Sequence, residues 1–284
     1  MRQIPCVLYI AIDGLIPLRG RSLKGLDEFT AALDHQGIPS VWLTSRSRLQ
    51  LDGPRRKHGH SHPFIAEDGC GVYLPEDYFH LRPPPTSSRP ESARTVRLGR
   101  FTCIPIAEPL PAASDALETL TQDTGLPIVT LRSLSPRELA QNTDLPQREA
   151  DLARQRDFDD VFFFAGASDR EIEQFLTEGR NRKLQFRQHG VLWSAAIGSS
   201  IKRCVGQLSR LYDRALHYHA RTVAIATADL ASELFPSCER TILLAKHEPE
   251  LGSAKPARAP CSEQLPLYSA ELWERLLEAV TGRR

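Results

Sequence analysis

The chain reads as a parallel α/β protein carrying a second, smaller α/β unit, and three observations predict this. Pro5-Cys6-Val7-Leu8-Tyr9-Ile10-Ala11-Ile12 is an unbroken apolar run closed by Asp13 and Gly14, the pattern of a strand covered on both faces. An amphipathic helix and another apolar strand follow directly, a parallel strand-helix-strand unit. Finally, 284 residues exceed the usual size of one domain, and a linker-like stretch rich in Pro, Ser and Arg at 81–90 separates this rhythm from a differently patterned middle.

Asp13 ends the first strand, at the sheet edge where open α/β folds bind ligands; the plainer reading of Asp13-Gly14 is a turn. In the next segment Leu26, Phe29, Ala32 and Leu33 share one helical face, with a stop at Gly37. Ile38 to Leu43 forms the second strand and ends on Thr44-Ser45. Right-handed crossover places these hydroxyls beside Asp13, with Ser45 either a ligand donor or the N-cap of the next helix. His58, His60 and His62 alternate in the following segment. Alternate residues point to opposite sides and no acid or Cys completes a metal shell, so a solvated loop is expected.

Glu67-Asp68-Gly69 reads as a hairpin-type turn between two short β runs. Beyond the linker, 97–106 reads as a strand, 112–124 and 135–143 as helices, 169–179 as a short helix and 184–197 as one or two strands. Arg156 is either a bidentate partner for a phosphate or carboxylate, or a solvated surface residue. A strand at 240–244 and a helix at 267–273 close the chain.

Composition removes several function classes. A net charge of +1 offers no field for nucleic acid or an anionic membrane. No apolar run approaches the ~20 residues that span a bilayer, and the N-terminus shows no signal pattern, so a cytoplasmic protein is expected. The six cysteines form no Cys-x-x-Cys pair and are expected to be buried small side chains.

Ile10-Ala11-Ile12-Asp13-Gly14-Leu15 resembles the first motif of the haloacid dehalogenase superfamily, an Asp-x-Asp-Gly-Thr strand end. Ala11 stands at the nucleophile, Asp13 at the general acid/base and Leu15 at the Thr. The stretch from Pro63 to Phe79 resembles a signature of the mannosyl-3-phosphoglycerate phosphatase family, with Asp68 in place of Asn; 145–162 resembles a string from its substrate cap, retaining Arg156. Gly198 to Lys202 matches the third motif, with Lys202 as its lysine. In 221–234, Ala226-Thr227 replaces the Gly-Asp of the acidic metal loop, and the Gly-Gly-Arg-Phe step of the cap is not recognisable in Arg187 to Leu192.

The resemblance implies a Rossmann-like three-layer core from 1–86 and 192–284 with an inserted α/β cap at 87–191. It implies a phosphate pocket of Thr44, Ser45 and Lys202, substrate contacts from Arg156, Glu67 and Asp68, and Mg²⁺ in an active member, with Asp13 and Asp229 as the remaining candidate ligands. Alanine has no nucleophilic oxygen, so the aspartyl-phosphate route is closed at Ala11. The expected function is therefore binding of a phosphorylated sugar or glycerate, or of a protein partner, without turnover. The alternatives are an active Mg²⁺-dependent phosphatase with a displaced catalytic set, and a structural remnant.

Overall fold

A computed structural model describes residues 6–17, 23–79, 95–143, 145–245 and 261–281. Pro5 and the predicted linker at 81–90 lie outside them, as does the predicted boundary at 86/87. The chain opens with β1 (Cys6–Ala11), α1 (Leu26–His35), β2 (Ser40–Leu43), α2 (Arg48–Lys57), β3 (Phe64–Ala66) and β4 (Gly71–Pro75). A hairpin follows, β5 (Val96–Leu98) and β6 (Phe101–Pro105). After the middle of the chain come α7 (Ile201–Leu216), β11 (Arg221–Thr227), α8 (Ala228–Leu234), β12 (Arg240–Ala245), β13 (Glu263–Pro266) and α9 (Leu272–Thr281).

Among the described residues these strands form a nine-stranded sheet in the order β13-β12-β11-β1-β2-β3-β4-β6-β5. From β13 to β3 it is parallel, and β4, β6 and β5 extend it antiparallel. The two-faced burial expected of β1 is borne out residue by residue. Leu8, Ile10 and Ile12 join one cluster with Phe29, Leu33, Trp42 and Leu276, whereas Val7, Tyr9 and Ala11 join another with Cys204, Leu208 and Leu234. Period-2 alternation sends successive side chains to opposite faces, and helices α1 and α9 cover one face while α7 and α8 cover the other.

The second unit has its own sheet, β7-β8-β10-β9. Its elements are α3 (Leu110–Thr124), β7 (Ile128–Thr130), α4 (Pro136–Thr143), α5 (Gln147–Arg154), β8 (Asp160–Phe164), α6 (Asp169–Asn181), β9 (Leu184–His189) and β10 (Leu192–Ile197). Strand membership departs from the expected boundaries at both ends. The 96–105 hairpin, expected inside the cap, extends the core sheet through the β4–β6 ladder, and β10, part of the 184–197 stretch expected to close the cap, pairs with β8 and β9 in the cap sheet although the expected boundary at 192 assigns it to the core. A strand's own pattern states which faces are buried, and its pairing partner is set elsewhere.

The histidine stretch is also corrected. His58 and His60 are buried rather than solvated. His60 stacks on Trp42 with ring centroids 4.1 Å apart, accepts a hydrogen bond from Arg55 Nε at its Nδ1 (3.1 Å) and donates from Nε2 to the Ser40 carbonyl (2.7 Å). Burial, with the Arg55 charge beside it, holds its pKa well below the usual imidazole range, so the neutral ring fits both bonds. His58 pairs with Asp27, and His62 bridges the Tyr78 hydroxyl (2.6 Å) and Asp34 (2.8 Å). The three rings thus have different hydrogen-bond partners, while His58 and His60 both pack on Trp42 and His62 meets His60 edge-on.

Replacing His60 with Ala strips two buried partners of their hydrogen bonds and leaves a void against Trp42, which should cost about 2 kcal/mol or more in a urea unfolding titration. A loss within ±0.5 kcal/mol, the range of ordinary surface changes, would return the segment to a solvated loop.

Candidate functional site

The strand ends of β1, β2 and β11 meet beneath β9 and enclose a cleft of about 650 Å³. Ala11, Asp13, Gly14, Ser45, Arg46 and Thr227 line its core side, Arg187 and His189 its cap side, and Asp229 and Glu233 the start and end of α8. Of the residues expected here, Asp13, Ser45 and Asp229 line the cleft, with Ala11 beside them. Thr44 lies beneath, fully buried.

Asp13 is locked to the end of β2. One carboxylate oxygen accepts from the Thr44 hydroxyl, the other from the Ser45 amide (2.8 Å) and hydroxyl (2.8 Å). Ser45 therefore holds Asp13 and does not cap α2; that cap is Ser47, which accepts from Gln50 N while the Gln50 side chain accepts from Ser47 N. Arg46 was not anticipated. It is 5% exposed, its Nε sits 3.4 Å from Asp13 Oδ1, and an Nη donates to the Ile16 carbonyl. The only signal for it in the sequence is a cation directly after Thr44-Ser45.

Lys202 is placed differently from the expectation. It occupies the first turn of α7, is exposed, and is absent from the cleft lining. The neighbouring Ser200 caps α7 by accepting from Arg203 N at 3.2 Å. Positive charge reaches the cleft from Arg46 and, two positions apart on one face of β9, from Arg187 and His189.

The residues expected to touch substrate instead join cap to core. Glu67 is fully buried, and its carboxylate accepts from the amides of Asp157 (3.0 Å), Phe158 (2.8 Å) and Asp159 (3.2 Å). Arg156 makes a bidentate pair with Asp159 (2.6 and 2.7 Å) and donates to the Ser45 carbonyl (2.8 Å). Asp68, at φ 52°, accepts from His189 Nε2 at 2.6 Å. The turn that carries them needs Gly69, at φ 87°, where an added Cβ would meet Ile201 N at 2.7 Å.

Burial works against the charge of His189, but the hydrogen bond and charge of Asp68 raise its pKa above the ordinary imidazole value. Asp68 is buried too, which favours the neutral acid, yet His189, with Arg187 and Arg156 nearby, brings its pKa below the usual carboxylate range. The signs define a window. The His189 contribution is complete below about pH 6.5 and is lost as pH rises through its raised pKa; the Asp68 contribution is present above about pH 3.9 and is lost as pH falls through its lowered one.

The donor set does not fit a divalent cation of the Mg²⁺ type. Both Asp13 oxygens are taken up by hydroxyl and amide donors, Glu233 is held by Arg187, and Ala11 and Thr227 offer no carboxylate, which leaves Asp229 as the remaining acid of the lining. Thr227 also turns its methyl towards Gly14, where an added Cβ would lie 2.8 Å from it. Among the described residues no three His, Cys, Asp or Glu side chains converge as a metal cluster, whereas Mg²⁺ requires near-octahedral oxygen ligands.

Asp68→Asn removes the charge that holds the imidazolium, so the His189 titration followed by NMR should move down towards pH 6.5. An unchanged midpoint would detach His189 from Asp68.

No protein-family model matches the chain. It is 24% identical over 234 residues, 80% of this chain and 79% of the relative, to a glucosyl-3-phosphoglycerate/mannosyl-3-phosphoglycerate phosphatase of Methanococcoides burtonii. It is 25% identical over 170 residues, 59% of each chain, to a phosphatase of the same description from Persephonella marina. In fold it is similar to Thermoplasma acidophilum 0175, with a TM-score of 0.64 at 12% identity over 97% of this chain and 98% of that one. A phosphatase of the haloalkanoate superfamily from Bacteroides thetaiotaomicron gives a TM-score of 0.63 at 14% identity over 97% and 95% of the two chains. With its parallel core and separate cap sheet, the chain is similar in fold to phosphatases of the haloacid dehalogenase superfamily and similar in sequence to glucosyl-3-phosphoglycerate/mannosyl-3-phosphoglycerate phosphatases.

Proposed function

We propose that the protein binds a phosphorylated small molecule of the sugar-phosphate or phosphoglycerate class in the cleft between core and cap, and does not hydrolyse it. One observation carries the reading. At the end of β1 the side chain beside the cleft is the methyl of Ala11, and the next carboxylate, on Asp13, already accepts three hydrogen bonds from Thr44 and Ser45. A phosphoryl group arriving there meets no nucleophile at position 11, and the Asp13 carboxylate beside it is already engaged. The names of the relatives, which are phosphatases of glucosyl- and mannosyl-3-phosphoglycerate, support the ligand class. The role of a protein partner, if the cleft serves one, would follow from which ligand fills it.

The reading is tested by a panel of phosphorylated sugars and glycerates, with turnover and thermal shift measured in parallel, with and without Mg²⁺. Stabilisation without phosphate release is expected. Turnover lost on Asp13→Asn would replace the reading with an active phosphatase, and silence in both assays would leave a structural remnant. Calorimetric titration with Mg²⁺ alone should show no tight stoichiometric site; a tight site abolished by Asp13→Ala would contradict the donor-set argument.

Restoring only the attacking group should also fail. Ala11→Asp is expected to show no turnover, because Thr227 leaves the returned carboxylate without an acidic partner in the β11 loop. Ala11→Asp combined with Ala226→Gly and Thr227→Asp should do better, though a group misplaced by ~1 Å costs on the order of 10²-fold. Activity from Ala11→Asp alone would show that the loop acid is dispensable.

A further inference from the structure

Three cations face the cleft, and each is matched by an acid. Arg46 lies beside Asp13, His189 is bonded to Asp68, and Arg187 is paired with Glu233. The pairs are not equivalent. Asp68 is 3% exposed, and Asp13 is tied into the end of β2 by Thr44 and Ser45. Glu233 is 37% exposed and is the last acid of α8, whereas its partner Arg187 is only 18% exposed on β9. Arg187 therefore stays while Glu233 is able to leave for water. Arg46, 5% exposed, also has an Nε that makes no hydrogen bond, a buried donor that a ligand oxygen would satisfy.

We propose that the cleft takes a phosphomonoester dianion without a divalent metal, with Arg46, Arg187 and His189 supplying the positive charge, and that Glu233 is an internal carboxylate which the ligand displaces from Arg187. This rests on the ligand-binding reading above and specifies its chemistry. A guanidinium presents a fork that matches phosphate as well as carboxylate. A phosphomonoester carries about −1.5 to −2 charges at neutral pH with three acceptor oxygens, so it outcompetes a single solvated carboxylate when Arg46 and His189 are reached as well. Asp229 and Asp13 oppose the incoming charge. Asp13 does so least, because its own charge is already engaged by three donors. Displaced Glu233 goes to solvent, and core and cap remain joined through Glu67 and Arg156.

The test is titration of the full chain with inorganic phosphate at ionic strength held constant with KCl, in EDTA and then in Mg²⁺, followed by calorimetry. Saturable binding in EDTA is expected. Glu233→Gln should tighten it by about tenfold, one charge-assisted hydrogen bond's worth of competition, and Arg187→Gln should weaken it by a similar factor. Both variants break the same ion pair, so a purely structural role would move phosphate affinity in the same direction in each. The opposite signs are what the proposal requires. Unchanged or weakened binding in Glu233→Gln removes the internal competitor. Binding that appears only with Mg²⁺ overturns metal-free recognition while leaving the ligand-binding reading intact. If phosphate and the phosphorylated panel both fail with and without Mg²⁺, the two fall together.

Discussion

The relation between cap and core depends on a carboxylate with no access to water. Glu67 sits in the turn between β3 and β4 and takes three consecutive backbone N–H groups from the cap segment 157–159. A buried carboxyl group without partners would be costly, and this one is tolerated because its oxygens are hydrogen-bonded and Arg156 lies beside it. Burial first, then the charge of Asp159, pushes the Glu67 pKa up to about 8. A proton on Glu67 spares it a charge in surroundings without water. Its stabilising contribution is thus complete in acid and fades as pH rises towards that value. Tyr73 and Arg48 continue the joint by bonding Asp157 at 2.8 and 3.0 Å.

Once that joint is fixed, the position of β9 follows. Period-2 geometry puts Arg187 and His189 on one face of the strand, and the seated cap turns that face over the ends of β1 and β2. The cleft acquires its cations this way, from the cap and from Arg46, rather than from the exposed Lys202. Residues that resemble substrate contacts in related phosphatases are spent here on holding two units together. The polar contacts of Glu67 and Arg156 across the interface favour the closed arrangement of cap and core.

The same logic explains why the histidines misled. Their alternation is real, but the environment of each is supplied by residues far along the chain: Asp27 for His58, Trp42 and Ser40 for His60, Asp34 and Tyr78 for His62. Spacing specifies direction and carries no information about the partner met in that direction.

What the sequence by itself determined is whatever depends on local pattern. The buried first strand, the amphipathic helix after it, the hydroxyl pair at the end of β2, the Glu67-Asp68-Gly69 turn and the substitution at Ala11 were all legible, because periodicity, turn chemistry and residue type are properties of neighbours in the chain. Only the tertiary structure decided the assignment of β6 to the core sheet and β10 to the cap sheet, the burial of Glu67, and the arrival of Arg187 opposite Glu233. Each of these pairs groups distant in sequence, and the energy of a buried charge or of a strand ladder is set by the partner that the fold delivers.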